Sequence, residues 1–138
     1  MKDTLKPGLT VTQRLRVDSA RTIGFMGDEG RVYSTPSMIR DMEQTCRKLL
    51  LEHLDDGQDS VGVKIDVSHV AACPLDTDVE VTATITEVDR RRVTFAVSTR
   101  DPIEEIGRGT QVRFITDKAE SRKRVAAKIA KLKELAGR

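Results

Sequence analysis

The chain has 138 residues, of which 33% are charged and only 3% aromatic with no Trp, and it carries a net charge of +2. This length and balance predict one domain of ordinary size around an aliphatic core. No run approaches the ~20 apolar residues of a membrane span and no apolar signal segment opens the chain, so a cytoplasmic protein with no membrane partner is expected.

Leu9 to Val17 alternates apolar and polar residues with one phase slip and reads as a strand, and Thr22–Met26 reads as a second short one. Gly27-Asp28-Glu29-Gly30 marks a turn. A helix then starts at Ser34-Thr35-Pro36, with Ser34 or Thr35 as N-cap and the proline in the first turn, and runs to about Leu54. Four strands follow, over 61–72, 79–88, 93–100 and about 106–116, with Asp89-Arg90-Arg91-Arg92 as a hairpin turn and Pro74 and Pro102 at breaks. The last segment, 119–136, spaces Val125, Ile129 and Leu132 four and three apart, an amphipathic basic helix. Residues 118–138 hold eight Lys/Arg against two Glu, so the body of the chain is mildly acidic and its tail strongly basic.

One helix cannot cover both faces of a sheet, so the strands are expected to curl around it, an α+β domain with an antiparallel sheet wrapped about a central helix. The expected division is a single domain over 1–118, with a basic C-terminal helix over 119–138 packed on it or extending from it. Cys46 and Cys73 are too few and too far apart for a disulfide framework or a zinc site, and no metal site is expected.

Two ionisable residues stand out against this pattern. Counting 100° per residue from Met38, the helix stripe of Leu49, Met42, Cys46, Ile39, Leu50 and Leu54 spans roughly 20° to 160°, and Glu43 falls inside it at about 140°. His53 falls in the same stripe, and capping or packing is its simpler reading. Period two puts Val61, Val63, Ile65, Val67 and His69 on one side of the first strand after the helix. A carboxylate and an imidazole pointing inward from neighbouring elements are a candidate active site. Thr35 is a third candidate: the helix N-terminus offers free N–H groups that polarise a carbonyl, although helix capping alone also explains a Thr before Pro. Arg113, between Val112 and Phe114, faces away from both, and Gly62 permits either a close ligand or a bulge.

Taken together, Thr35, Glu43 eight positions on, His69 in Val67-Ser68-His69-Val70-Ala71-Ala72-Cys73-Pro74, and the run from Glu105 to Arg113 resemble the fluoroacetyl-CoA thioesterase group of hot-dog thioesterases. The resemblance covers about Thr35 to Ile115. It implies a hot-dog fold and a homodimer with acyl-CoA bound at the subunit interface. It further implies that Thr35, Glu43 and His69 act in thioester hydrolysis, and that Gly62 and Arg113 line the ligand site. In that family the stretch before the Thr is a longer lid with phenylalanines, whereas here Gly24–Tyr33 is shorter and has no paired Phe.

The expected function is hydrolysis of a small acyl-CoA to free acid and CoA, with no cofactor besides the CoA of the substrate. A non-catalytic acyl-CoA or small-ligand binding module is the alternative on the same fold, and an enoyl-thioester hydratase or dehydratase is a third. Nucleic acid is not an expected partner, since the basic tail lacks stacking aromatics.

Overall fold

The core is organised by one helix, and local chemistry sets where that helix begins. In the computed structural model, which describes residues 1–138, α1 runs from Thr35 to Leu51. Ser34 is its N-cap, with extended backbone and Oγ accepting the Ser37 N–H at 3.2 Å. Thr35 is therefore the first helical residue and not the cap, and its hydroxyl is free for other work. The helix ends at a Glu52 cap, earlier than the stripe suggests. Leu54 still reaches the core from the turn that follows, and His53 bonds Thr4 there at 2.7 Å through Nδ1.

Five antiparallel strands wrap this helix: β1 (Thr10–Arg16), β4 (Gln58–His69), β5 (Asp78–Asp89), β6 (Arg92–Arg100) and β7 (Glu105–Asp117), in the order β1-β5-β6-β7-β4. Alternation is strict in the middle of the sheet. Val79, Val81, Ala83 and Ile85 of β5 and Val93, Phe95 and Val97 of β6 face Met38, Met42, Cys46, Leu49 and Leu50 of α1. The expected second strand is shorter than its sequence suggests. Thr22–Ile23 (β2) pairs with Val32–Tyr33 (β3) in a two-residue ladder, and Gly24 to Gly30 loops between them with Phe25 75% exposed.

The expected face of β4 is broken by a bulge. Gly62 pairs with Arg113 and Lys64 with Val112, which leaves Val63 between them without a partner. Downstream, Ile65, Val67 and His69 share the face of Gln111, Gly109 and Gly107, which looks at the helix. Upstream the phase is reversed: Gly62 looks at the helix and Val61 faces away with Phe114. Val61, Val63 and Ile65 are all exposed, because β4 is an open edge of the sheet.

The final helix, α2 (Lys118–Ala136), continues directly from β7 and buries none of its residues. No helix is long and apolar enough to cross a membrane.

Candidate active site

The expected site residues fall into two clusters on one face of the sheet. At the N-terminus of α1, Thr35 Oγ1 lies 2.7 Å from Nδ1 of His69, the last residue of β4. The helix start and the strand end meet there because Tyr33 N–H donates to Cys73 O at 2.8 Å, tying the residues before α1 to the segment after β4. His69 Nε2 is buried and takes no protein partner. Burial pushes the His69 imidazolium down from its ordinary pKa, and the Ala71 backbone opposes this. Ile23, Val32, Tyr33, Val70 and Ala71 surround the pair in a mostly apolar pocket of about 350 Å³.

The second cluster lies at the other end of β4. Arg113 projects from β7 toward α1 and is only 5% exposed. Its Nε donates to Ser60 Oγ at 2.7 Å and its Nη2 to Ser60 O at 2.9 Å, which leaves Nη1 facing Glu43 Oε2 at 3.7 Å. Burial holds the Arg113 guanidinium below its ordinary pKa, with Cys46 and Glu43 opposing. The neighbouring Cys46 thiol is pushed up to about 12 by burial, an inert core residue as expected. Glu43 is not a core carboxylate: its side chain is 30% exposed, at the rim of the stripe. Gly62 explains where it goes. A Cβ on Gly62 would sit 2.9 Å from Glu43 Oε2, so the missing side chain makes room for the carboxylate beside the strand.

Each cluster is made within the chain, but the chain does not join them. Seven residue steps along β4, roughly 20 Å of strand, separate Gly62 from His69, and about 12 Å of helix separates Thr35 from Glu43.

A third ionic group was not anticipated. Asp41, 5% exposed, accepts from Arg21 Nε at 2.9 Å and Arg21 Nη2 at 3.2 Å, and from the Tyr33 hydroxyl at 2.5 Å. Burial, then the bond to Asp41, pushes the Tyr33 phenol up, and the Asp41 bond likewise raises Arg21. Asp41 lies outside the apolar stripe of α1 and its partners are 20 and 8 residues away, so no sequence signal marks it. No group of three His, Cys, Asp or Glu residues gathers in a way that could hold a metal ion.

This architecture and chain are shared with known proteins. The family model described as fluoroacetyl-CoA-specific thioesterase matches residues 17–119. The chain is 33% identical over 122 residues to the fluoroacetyl-CoA thioesterase of Streptantibioticus cattleyicolor, covering 83% of this chain and 88% of that one. A solved structure of a fluoroacetyl-CoA thioesterase superposes with a TM-score of 0.84 at 29% identity, covering 91% of this chain and 98% of its own. A thioesterase superfamily member from Thermus thermophilus gives a TM-score of 0.81 at 26% identity, with 98% of both chains covered. The antiparallel sheet around α1 is thus the hot-dog fold.

Proposed function

Because the chain belongs to the fluoroacetyl-CoA-specific thioesterase family, we propose that it hydrolyses a small acyl-CoA to the free acid and CoA. The contact that carries this reading is Thr35 Oγ1 to His69 Nδ1, at the N-terminus of a helix and inside an apolar pocket. An Nδ1–H donated to Thr35 Oγ1 leaves the hydroxyl proton for the thioester carbonyl oxygen, beside the free N–H groups of the first turn. Glu43 is the base that takes a proton from the attacking water, whose oxygen bonds to the acyl carbon. The C–S bond breaks as the tetrahedral intermediate collapses. The proton taken from water reaches the departing sulfur through His69, so OH ends on the acyl group and H on CoA. Arg113 holds Glu43 beside Gly62, and the substrate supplies the only CoA required.

Glu43 and His69 lie too far apart in one chain to share that proton, which favours a homodimer. The open edge β4 carries exposed Val61, Val63 and Ile65 and both clusters. A two-fold axis through the middle of β4 sets the Glu43 end of one protomer against the His69 end of its partner. The acyl pocket holds a small group, as the pocket volume and the short Gly24–Tyr33 segment suggest.

One experiment tests both chemistry and assembly. Parent, Glu43→Gln and His69→Ala proteins are assayed for CoA release over short, branched and aryl acyl-CoA thioesters. Each variant alone is expected to lose at least about 100-fold in kcat. Unfolded together and refolded as a mixture, the two variants are expected to regain about a quarter of parent activity, since half the dimers carry one intact composite site. No recovery would show that Glu43 and His69 of one chain serve the same site. Full activity of Glu43→Gln would remove the base from the mechanism. Tight acyl-CoA binding without parent turnover would instead select the binding module.

A further inference from the structure

We propose that Asp41 is a positioning residue that ties both ends of the 22–32 flap to α1 and so holds the apolar wall of the Thr35–His69 pocket against the acyl group. The flap begins immediately after Arg21 and ends immediately before Tyr33, and both side chains close on the one Asp41 carboxylate. Arg21 is fixed further by Asp18, 2.9 Å from Nη1, and its carbonyl accepts the Ser34 N–H at 2.9 Å, next to Thr35. Beyond the clamp, the flap has its own ladder of Thr22–Tyr33 and Ile23–Val32 and a bond from Arg31 Nη1 to Thr22 Oγ1 at 3.1 Å. Its tie to the segment after β4 is one bridge between Val32 and Pro74, flanked by Tyr33 N–H to Cys73 O at 2.8 Å and Leu75 N–H to Arg31 O at 3.1 Å. A two-stranded ribbon of that length is not stable alone. Of the two residues that wall the pocket, Val32 is held by the Pro74 bridge as well as the clamp, whereas Ile23 pairs only with Val32 and so depends on the Asp41 clamp on Arg21 for its place.

Net stability is a weak reason for this group. A buried ion pair seldom holds a fold better than apolar residues of the same volume, and its firmest contribution is geometry. Here the geometry it dictates is the distance between a pocket wall and the Thr35–His69 pair. Asp41 touches no reacting atom. This role rests on the thioesterase reading for its catalytic consequence, but the clamp can be read without it.

Two variants test the clamp, Asp41→Asn and the milder Tyr33→Phe, each with hydrogen exchange and with kinetics over an acyl-CoA length series. Exchange of amides in 22–33 is expected to quicken at least about tenfold while β5 and β6 stay protected. The KM for the smallest acyl groups is expected to rise at least about tenfold, with kcat within about threefold of parent, so that discrimination between chain lengths flattens. Tyr33→Phe, which removes one hydrogen bond and no charge, should move both readouts the same way should Asp41→Asn fail to fold. Unchanged flap exchange in Tyr33→Phe would overturn the clamp. Equal loss of kcat for every acyl group, with KM unmoved, would overturn its role in the pocket. A parent without turnover would overturn the proposed function and the pocket role together, and flap exchange would still decide the clamp.

Discussion

Thr35 is available to chemistry because Ser34 takes the capping work, a cap worth about 1 kcal/mol to the helix. A Thr before Pro reads equally as a cap or as a functional group, and one residue of phase decides that Ser34 is the cap. His69 was legible as an inward residue from period two. Arg113 was legible only as facing away from Val112 and Phe114, because alternation cannot say whether the far side is water or helix; Ser60 and α1 decide that. His69 also sets a pH dependence. Burial keeps its folded pKa below the ordinary 6.5, so the neutral form persists to lower pH in the folded chain than in the unfolded one. Its contribution to stability is complete above that ordinary value and is lost as pH falls through the folded one. The neutral ring is also the form proposed for catalysis, so kcat/KM is expected to hold below pH 6.5 before it falls. A pH profile checks this: the acid limb assigned to His69 should vanish from the residual rate of His69→Ala, and a limb that survives belongs to another group.

At the scale of elements, β4 shows both the power and the limit of pattern reading. Its apolar alternation identifies a strand, yet the bulge at Val63 moves Val61 off the face that His69 occupies and brings Gly62 onto it. A bulge costs one unpaired residue and leaves no mark in an alternating sequence except a glycine beside it. Farther along, β7 needs Gly109 for a different reason. A Cβ there would overlap the backbone of Asp66 and Val67, so β4 approaches β7 more closely than a side chain permits. Gly109→Ala is expected to lower stability by about 3 kcal/mol, read from urea unfolding. A loss within about 0.5 kcal/mol would show that β4 can shift without cost. α1 was read well over most of its length because a 3.6-residue stripe of large aliphatic residues is strong evidence for a packed helix. Its end was overrun, because Leu54 belongs to the core without belonging to the helix.

For the molecule as a whole, the two sheet edges differ in kind. β1 is guarded by Arg14–Glu80 and Arg16–Asp78 pairs, whereas β4 presents Val61, Val63 and Ile65 to solvent. α2 stands outside this body, with Val125, Ile129 and Leu132 exposed and no residue buried. Removing residues 119–138 is therefore expected to leave the melting temperature of the remaining domain within about 3 °C of parent. A larger fall in calorimetry would mean that α2 supports the folded assembly, through the domain or a partner protomer.

By itself the sequence determined the helix with its start at Ser34-Thr35-Pro36, the strands with their alternation, the hot-dog resemblance and a short set of candidates, Thr35, Glu43, His69, Gly62 and Arg113. Those features are local in period or spacing, and local chemistry is written in order along the chain. Only the tertiary structure decided that Thr35 meets His69, that Glu43 lies apart with Arg113, and that Asp41 gathers Arg21 and Tyr33. These contacts join residues from 8 to 70 positions apart on different elements. Their geometry depends on strand register, a bulge and the packing of α1, and nothing in the spacing of the residues encodes it.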